Sequence, residues 1–378
     1  MSQTSFDVIV AGVGAMGAQT CWHLANRGQR VLGLDRYDIP NSMGSSHGVH
    51  RIIRLAYFEH PLYVPILRRA YELWRQTEQF FGEQLLFVTG SLDIGPSDAP
   101  VIKGSLESCK LHSLACELLD GKSVNTRYPG YKLPEGYAAV YQADGGFVAS
   151  ERAVVAAATL AMNAGATLRA REAIVGFDRL PGGGVKVTTS KATYEAGRLV
   201  LSTGAWIGEH VPALKSTAVP ERQVLGWFRP RKPEHFQLGR FPVSNLKSED
   251  GHFYQFPVWG VPGFKIGRYH HLQEQGAADD LSREPNATDE ETLRSGLRRF
   301  FPDADGDLLA MRTCMFTNTP DEHFVIDRLP GFEEIIVASP CSGHGFKFSS
   351  AIGEILADLA TDRPPKFDLS PFKIGRFA

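Results

Sequence analysis

The stretch that decides the fold is residues 7–35, DVIVAGVGAMGAQTCWHLANRGQRVLGLD. It contains an apolar run, a glycine-rich turn, a stretch of helical character and a second apolar run. These segments are 7–11, 12–17, 18–27 and 31–34. Apolar runs separated by a glycine turn and a helical pattern predict a strand, a tight turn, a helix and a strand.

Gly12, Gly14 and Gly17 have the spacing GxGxxG where the first strand meets the helix. Glycines at this point let the backbone approach a pyrophosphate bound at the helix N-terminus. Asp35 ends the second strand, 35 − 12 = 23 residues after the first glycine, where a carboxylate binds ribose hydroxyls and disfavours a 2′-phosphate. Arg36 follows it and is assigned to the same cofactor site. The fingerprint predicts a dinucleotide but does not distinguish NAD from FAD.

The rest of the chain mixes two kinds of pattern. The predicted elements are helices at 65–81, 150–163 and 346–359, buried strands at 198–202 and 334–339, and antiparallel strands at 224–228, 253–256 and 264–269. Thr203, Gly204 and Trp206 follow one buried strand in a turn like the first, so they are candidates for contact with the cofactor. Because the antiparallel strands interrupt the other elements, the cofactor domain is expected to be discontinuous.

Two helix starts are predicted from capping residues. Ser150 is expected to cap the helix that follows it. Residues 286–288 match a glycosylation acceptor, but Thr288 and Glu291 form a capping box ahead of an apolar pattern, so the structural interpretation is preferred.

Composition argues against several classes of function. The 378 residues are 43% hydrophobic and carry a net charge of -2, so global charge favours neither nucleic acid nor an anionic membrane. The five cysteines have no paired or metal-ligand spacing and are interpreted as reduced. No leader pattern or membrane-length apolar run is present, so a cytoplasmic protein is expected. His47 and His50 lack the neighbours of a metal site, and no metal is expected.

Three further motifs stand out, and the second and third are long enough to be highly specific. They are SSHGVHRIIR at 45–54, CMFTNTPDEHF at 314–324 and SGHGFKFSS at 342–350. In these motifs, and in their order along the whole chain, the sequence resembles the monomeric sarcosine oxidase and N-methyltryptophan oxidase family. The resemblance implies an α/β fold in which a Rossmann-like FAD-binding domain carries an inserted antiparallel-sheet substrate domain.

The resemblance also implies domain boundaries and an activity. The FAD-binding domain is expected to comprise 1–85, 143–215 and 320–378, and the substrate domain 86–142 and 216–319. The expected activity is oxidation of the C–N bond of a secondary amino acid to an imine, with reduction of O2 to H2O2, by a monomer.

Several residue roles follow from the resemblance alone. In the family, FAD is attached through its 8α-methyl group to the cysteine that corresponds to Cys314. The equivalents of Arg51 and Arg54 lie beside the flavin, and the second pairs with the substrate carboxylate. The equivalent of Lys347 also binds that carboxylate, and the equivalent of Lys265 promotes the reaction with oxygen. The other residues expected at the site are Ser45, His47, Gly343 and Gly345 for the cofactor, and Tyr254 and Tyr269 for the substrate.

The residue types support these roles independently. Cys314 follows Arg312, and a nearby cation would favour the thiolate that a thioether requires. Lys347 lies in the first turn of a helix, where a cation is disfavoured. Lys265 alternates with apolar residues on an interior strand, and a buried cation needs a partner or a function. The alternative roles are a structural cysteine for Cys314, a surface lysine for Lys347, a salt-bridged lysine for Lys265, and a bridge between domains for Arg51 and Arg54. Glu59 is expected to pair with an arginine.

The sequence departs from the family at the substrate pocket. The members that oxidise sarcosine have histidine at the position of Tyr269 and tyrosine at that of Phe316, whereas Tyr254 is retained. His50 replaces a smaller polar residue, and His270 on a strand would point to the opposite face unless a bulge intervenes. A bulkier N-methyl or cyclic amino acid is therefore expected as readily as sarcosine. The alternative functions are an NAD-dependent dehydrogenase and a non-enzymatic flavin-binding redox sensor.

Overall fold

The computed structural model describes residues 4–377. Its strands, numbered β1 to β19 in chain order, are Ser5–Ala11, Val31–Leu34, His50–Ile53, Leu86–Val88, Ser91–Pro96, Glu117–Asp120, Tyr137–Gln142, Gly146–Ala149, Thr167–Arg169, Ile174–Arg179, Val185–Thr189, Thr193–Leu201, Val219–Phe228, Val243–Ser248, Gly251–Phe256, Phe264–Tyr269, Leu308–Asn318, Val325–Leu329 and Phe332–Ser339. Its α-helices, α1 to α8, are Ala15–Asn26, Val64–Phe81, Pro100–Leu111, Gly121–Arg127, Ser150–Asn163, Ile207–His210, Ala287–Phe300 and Ser349–Ala360. Short 3-10 turns are Pro61–Tyr63, Gly204–Trp206, Pro212–Leu214, Pro233–His235, Pro302–Ala304, Phe346–Phe348, Ser370–Phe372 and Ile374–Phe377.

The first sheet contains the strand, turn, helix and strand predicted from residues 7–35. Strands β19, β12, β1, β2 and β9 lie side by side and parallel, with β18 antiparallel at one edge and the β10–β11 hairpin on the first half of β12. Ala11 at the end of β1 lies beside both Leu34 and Leu201. The carboxyl ends of three neighbouring strands therefore meet at one edge, which is where open α/β sheets bind ligands.

Helix α1 packs between α5 and α8 against one face of this sheet. Val8 and Val10 contact these helices, whereas Ile9 faces the opposite core, as the two-residue period of a strand requires. Gly353 lets α8 approach α1 closely, since a Cβ at this position would lie 2.5 Å from Cβ of Gln19 in α1. The cofactor-domain fold expected from the sequence is thus present.

The second sheet has the order β17-β13-β16-β15-β14-β5-β7-β6 and is antiparallel except between β14 and β5. It includes the antiparallel strands predicted from the aromatic segments. Leu246, Phe253 and Ile266 on one face pack against α7. Asn245 and Tyr254, their neighbours in sequence, point from the other face into a cavity. The remaining three strands form a small sheet in the order β3-β8-β4.

The three long predicted helices are confirmed as α2, α5 and the 3-10 turn that continues into α8. The prediction that Ser150 caps α5 is wrong. Ala149 occupies the N-cap position, and the Ser150 hydroxyl donates to the carboxylate of Glu151 instead. A serine at the start of a helical pattern can bond to a neighbouring side chain, and this competing bond is not visible in the sequence.

The predicted capping box of α7 exists but is displaced by two residues. Asn286 accepts a hydrogen bond from the N–H of Asp289, whose carboxylate accepts from the N–H of Asn286. Thr288 and Glu291 are therefore not the capping pair. Asparagine is at least as strong an N-cap as threonine, and Asp289 is also held by Arg222.

In residues 4–377, no helix is long and apolar enough to cross a membrane. Over the same range, no group of three or more histidine, cysteine, aspartate and glutamate side chains is arranged to hold a metal ion. The five cysteines are free thiols.

Candidate active site

A cavity of about 570 Å³ lies where the carboxyl ends of β1, β2 and β12 meet the second sheet. This volume is in the range of small-molecule and cofactor sites. The cavity collects most of the predicted site residues, which come from distant parts of the chain. Those in its wall are Gly12, Gly14, Asp35, Arg36, Ser45, Arg51, Arg54, Thr203, Gly204, Trp206, Tyr254, Tyr269, Cys314, Gly343, Gly345 and Lys347.

The glycine turn forms one end of the cavity. Gly12 has φ of 90°, a conformation that favours glycine. Gly17 lies behind the wall, and a Cβ there would be 1.8 Å from the carbonyl oxygen of Gly12, so its role is to let α1 pack against the turn. Asp35 accepts the N–H of Val13 at 2.8 Å and remains in the cavity wall. The turn and the acid are therefore placed as the dinucleotide fingerprint predicts.

Several polar groups at this end have no partner within the described chain. The hydroxyl oxygens of Ser45 and Thr203 are buried without a hydrogen bond, and both residues line the cavity. The N-cap residue of α1, Gly14, has no side chain to offer, and in the first turn only the N–H of Ala15 has a side-chain acceptor among the described residues, the hydroxyl of Ser46 at 3.1 Å. Buried hydroxyls and free helix N–H groups need a partner, and a dinucleotide would supply phosphate and ring acceptors. The residues present therefore fit FAD.

Arg36 and Trp206 form a wall near the β2 end of the cavity. Both bind Asp279, Arg36 at 2.7 Å and the indole N–H of Trp206 at 2.8 Å. The Arg36 guanidinium also lies 5.6 Å from the centre of the Trp206 ring. His47, in contrast, is buried and lines a neighbouring cavity of about 630 Å³. The structure therefore places His47 outside the main cavity.

Cys314 of β17 lies against Arg51 of β3. The Nη2 atom of Arg51 is 3.4 Å from Sγ of Cys314 and donates to the carbonyl of Ser45 at 3.2 Å. Sequence proximity indicated Arg312 as the neighbouring cation, but Arg312 lines the second cavity. The cation in contact with the sulfur is therefore Arg51, which is distant in sequence and joins Cys314 through the fold.

Lys347 lies in the 3-10 turn before α8, with only 7% of its surface exposed. Its Nζ donates to the carbonyl of His344 at 2.8 Å, and the indole of Trp74 donates to the carbonyl of Lys347 at 3.0 Å. Burial lowers the pKa of Lys347 to about 7, and the charge of Arg54 acts in the same direction. An ammonium has three N–H donors, so Lys347 retains donors for an anionic ligand in the cavity.

The loop before this turn approaches the second sheet closely. Gly343 has φ of 75°, and a Cβ there would lie 2.5 Å from the hydroxyl oxygen of Tyr269. Tyr269 donates this hydroxyl to the carbonyl of Ser342. Gly345 is similarly tight, because a Cβ would collide with the carbonyl of Pro340. Tyr269 and the loop therefore form one continuous wall.

Arg54 is the most heavily paired cation of the site. Only 2% of it is exposed, and its Nη2 donates to both carboxylate oxygens of Glu59 at 2.8 Å. Its Nε lies 3.3 Å from the carboxylate of Asp93, an ion pair without the alignment of a hydrogen bond. Burial opposes ionisation of Glu59, but the charge of Arg54 prevails and lowers its pKa to about 2. The expected pairing of Glu59 with an arginine is confirmed.

Lys265 is fully buried on the interior strand β16, as its alternation with apolar residues predicts. Its Nζ donates to the carbonyls of Gly48 and His50, each at 2.7 Å, and contacts Nδ1 of His50 at 3.1 Å. The ammonium lies 4.2 Å from the centre of the Phe256 ring, and Phe256 lines the cavity. Burial and the charge of Arg51 hold the pKa of Lys265 well below its usual value. Lys265 therefore lies one layer behind the cavity wall.

On the aromatic side of the cavity, Tyr254 packs on β16, and His270 departs from the alternating side-chain pattern of that strand. Tyr254 lies over Gly267, where a Cβ would be 2.3 Å from the ring. His270 follows the last residue of β16 with φ of 54°, so the strand ends and no bulge is needed to redirect it. Its ring bonds to the carboxylates of Glu221 and Glu322, which raise its pKa to about 9.

Asp93 and Asn245 were not predicted as part of the site. Asp93 lies on β5 between Leu92 and Ile94, and Asn245 lies beside it on β14. The available signal was an aspartate within an otherwise apolar strand, since a buried charge needs a partner. Its partner could not be identified because the contact depends on the parallel pairing of β5 with β14.

The fold and the cavity define a flavin-dependent oxidoreductase. The chain belongs to the family described as FAD dependent oxidoreductase, whose model matches residues 7–359. FAD is the cofactor of this family, which confirms the expected cofactor and favours it over NAD.

Particular relatives agree with the resemblance in the motifs. The monomeric sarcosine oxidase of Bacillus sp. (strain NS-129) is 38% identical, over 99% of this chain and 98% of that protein. The N-methyl-L-tryptophan oxidase of Salmonella typhi is 34% identical, over 99% of each chain. Among solved structures, the amino acid oxidase NikD matches with a TM-score of 0.84 and 26% identity, over 98% of each chain. The resemblance to sarcosine and N-methyltryptophan oxidases is thereby confirmed.

Proposed function

We propose that the protein oxidises a secondary amino acid, N-methyl or cyclic, to an imine and reduces O2 to H2O2. The observation that carries the proposal is one cavity in which Lys347 keeps unused donors while Cys314 lies against Arg51. Relatives that match almost the whole chain are named as oxidases of sarcosine and N-methyl-L-tryptophan. Both compounds are secondary amines that carry a carboxylate.

The proposed cofactor contacts follow the cavity from end to end. The turn of Gly12 and Gly14 would hold the pyrophosphate, and Asp35 would hold the ribose. Cys314 would carry a covalent thioether to the cofactor, and the backbone of residues 342–345 would face the ring. When bound, FAD supplies a two-electron acceptor.

Lys347 and Arg54 would hold the substrate carboxylate. The pairing of Arg54 with Glu59 means that the carboxylate must share or replace that contact, whereas Lys347 has donors available. With the carboxylate fixed, the aromatic wall places the amine nitrogen and its adjacent C–H toward the cofactor, and such positioning lowers the barrier. The adjacent C–H and the N–H bonds break as C–N becomes C=N, so the substrate gives up two protons and two electrons, which bound FAD would accept, and water then hydrolyses the imine to a carbonyl compound and an amine. Since the unprotonated amine reacts, activity should rise with pH.

Lys265 would assist the reaction with oxygen. Burial and Arg51 disfavour the ammonium of Lys265, but its three acceptors favour it, and in the charged form a fixed cation beside the cavity would lower the energy of the superoxide charge that forms first. Oxygen takes up two electrons and two protons in total and leaves as H2O2. Tyr254 and Tyr269 would shape the pocket around the amine substituent.

Further features belong to the same proposal. We propose a monomer in the cytoplasm, with a small amino acid and O2 as partners and without nucleic acid or membrane contacts. The proposed FAD-binding domain comprises 1–85, 143–215 and 320–378, and the substrate domain comprises 86–142 and 216–319. The second sheet lies largely within the latter ranges.

A panel of amines coupled to peroxide detection tests the function. Purified protein is mixed with sarcosine, N-methyl-L-tryptophan and pipecolate in air, and the flavin absorbance is followed separately without oxygen. We expect peroxide release and anaerobic bleaching with at least one compound, both reduced in Lys347→Met. Bound flavin without bleaching by any secondary amino acid would contradict the proposal and favour a redox sensor, and a colourless protein would favour an NAD-dependent enzyme.

A further inference from the structure

Asn245 and Asp93 form a polar pair on the cavity side of the second sheet. They are register partners on β14 and β5, and Nδ2 of Asn245 donates to Oδ1 of Asp93 at 2.9 Å. Asp93 is 1% exposed, whereas Asn245 lies in the cavity wall. The pair therefore joins a buried carboxylate to a surface that a substrate can touch.

Asp93 is fixed from three directions. The Ser105 hydroxyl donates to its Oδ2 at 2.9 Å, and Nε of Arg54 lies 3.3 Å from its Oδ1. Burial raises the pKa of Asp93, but the charge of Arg54 opposes this shift. An ionised carboxylate only accepts hydrogen bonds, so the amide of Asn245 must present its NH2 group to Asp93.

This constraint sets the direction of the amide oxygen of Asn245. With Nδ2 turned to Asp93, Oδ1 of Asn245 has no hydrogen-bond partner in the described part of the chain. The nearest cross-strand neighbour on the other side is Tyr254, and Phe256 and Tyr269 continue the same aromatic wall. Asn245 therefore presents a fixed acceptor within a largely aromatic surface.

An acceptor in such a place discriminates between ligands. A ligand that fills the pocket without a donor leaves the amide oxygen desolvated and unpaired, which costs free energy. A ligand with an O–H or N–H at this point recovers the hydrogen bond. Sites built to bond a polar group reject the analogue that lacks it more strongly than apolar pockets reject an extra methylene.

We propose that Asn245 is a specificity-determining residue that accepts a hydrogen bond from the substrate, and that Asp93 is its positioning residue. The inference rests on the proposed oxidase function. The preferred substrate class is a secondary amino acid with a hydroxyl or N–H donor on its N-substituent or side chain, in addition to the amine that is oxidised.

Matched compounds test the preference directly. N-(2-hydroxyethyl)glycine is compared with N-propylglycine, and N-methylserine with N-methyl-2-aminobutyrate, so that each pair differs by a hydroxyl in place of a methyl. We expect kcat/KM to favour the hydroxyl compound of at least one pair by about tenfold, the effect of one buried hydrogen bond. Equal values within both pairs would overturn the proposal.

Variants assign the preference to Asn245. Asn245→Leu keeps the size of the side chain but removes the acceptor, so the ratio should fall to about one, mainly through the hydroxyl compound. Asp93→Asn releases the amide orientation and should lower the ratio in part. Ser248→Ala on the same strand is the control, because Ser248 lies outside the cavity wall and its hydroxyl donates to the carbonyl of Gly251, so the ratio should be kept. A ratio that persists in Asn245→Leu would overturn the assignment.

Binding provides a readout that does not require turnover. (2-Hydroxyethylthio)acetate and (propylthio)acetate lack an oxidisable C–N bond, and their dissociation constants are measured on the holoenzyme from the flavin absorbance. The hydroxyl compound should bind more tightly to the wild type, and Asn245→Leu should bind both equally. If no secondary amino acid reduces the flavin, the proposed function fails, whereas equal affinity of both thioethers for the wild type contradicts the role of Asn245.

Discussion

The guanidinium Nη2 of Arg51 lies 3.4 Å from Sγ of Cys314, although 263 residues separate them in the chain. A cation in contact with the sulfur can stabilise negative charge that develops on it during a reaction. Cys341, the other cysteine of the cavity wall, lies in a different environment, and burial raises its pKa to about 11. The fold therefore places Cys314 beside a cation, whereas Cys341 is only buried.

Covalent attachment of the flavin should depend on Cys314. Acid precipitation of the wild type is expected to leave the yellow colour in the pellet, whereas Cys314→Ser should release it to the supernatant. Arg51→Gln should slow the attachment, because the sulfur loses the cation in contact with it. Cys341→Ser is the matched control and should keep the flavin bound. Retention of colour in the Cys314→Ser pellet would show that another residue carries the link.

Lys265→Met should slow the reaction of the reduced enzyme with oxygen. Loss of one preorganised charge costs about 10²–10³-fold in rate, and here the loss falls on the superoxide-forming step. Stopped-flow mixing of the reduced enzyme with oxygen measures this rate, and anaerobic reduction by substrate should change much less. Lys347→Met should show the opposite pattern, with weak substrate binding and nearly normal reoxidation. Equal slowing of both half-reactions in Lys265→Met would argue for a structural role.

Carboxylate binding should weaken as pH rises through about 7. Burial lowers the pKa of Lys347 to about 7, so its ammonium is present below this pH and is lost above it. A bound carboxylate stabilises the ammonium of Lys347, so the loss of affinity moves to a higher pH. Titration of the holoenzyme with (propylthio)acetate below and above pH 7 measures the effect. In Lys347→Met, binding should be weaker and nearly independent of pH, and an unchanged profile would exclude Lys347 as the titrating group.

Local sequence patterns were sufficient for the cofactor end of the site. The turn of Gly12, Gly14 and Gly17 was predictable because the spacing of the three glycines is a local pattern between one strand and the helix that follows it, although the close approach of Gly12 to Ser202 was not. Cys314 and Lys347 were identified because each lies within a continuous motif. Motifs of this kind consist of a few neighbouring residues, so they can be recognised directly in the sequence.

The contacts that determine the pocket could not be predicted in the same way. Asn245 meets Asp93 across 152 residues through the pairing of two parallel strands, and a shift of β14 by one residue would turn Asn245 to the other face, away from Asp93. Similarly, Arg51 rather than Arg312 contacts Cys314 because β3 and β17 converge at the cavity. The sequence identifies these residues, but the contacts between them depend on strand pairing and register, which the sequence does not show.

Gly343→Ala should damage the site more than its backbone strain alone predicts. Gly343 and Gly331 both have positive φ, so alanine strains either backbone by about 1 kcal/mol or more. Only at Gly343 would the new Cβ meet other groups, 2.5 Å from the Tyr269 hydroxyl and 2.6 Å from the Phe316 ring. Both variants should lower Tm, but only Gly343→Ala should also reduce kcat/KM. Equal kinetics in the two variants would show that the contact with Tyr269 does not shape the pocket.

Removing Asp289 should destabilise the substrate side of the molecule strongly. Its carboxylate is fully buried and accepts two hydrogen bonds from Arg222, at 2.8 and 2.7 Å, and one from the N–H of Asn286. Asp289→Ala leaves the buried Arg222 guanidinium with only the more distant and half-exposed carboxylate of Glu274, at 3.7 Å, and loss of the buried partner costs up to about 3–5 kcal/mol. Glu291→Ala on the same helix breaks only an exposed pair with Arg298, and exposed ion pairs contribute little to stability. Urea unfolding of both holoenzyme variants measures the difference, and similar losses in the two would mean that the buried pair contributes no more than a surface contact.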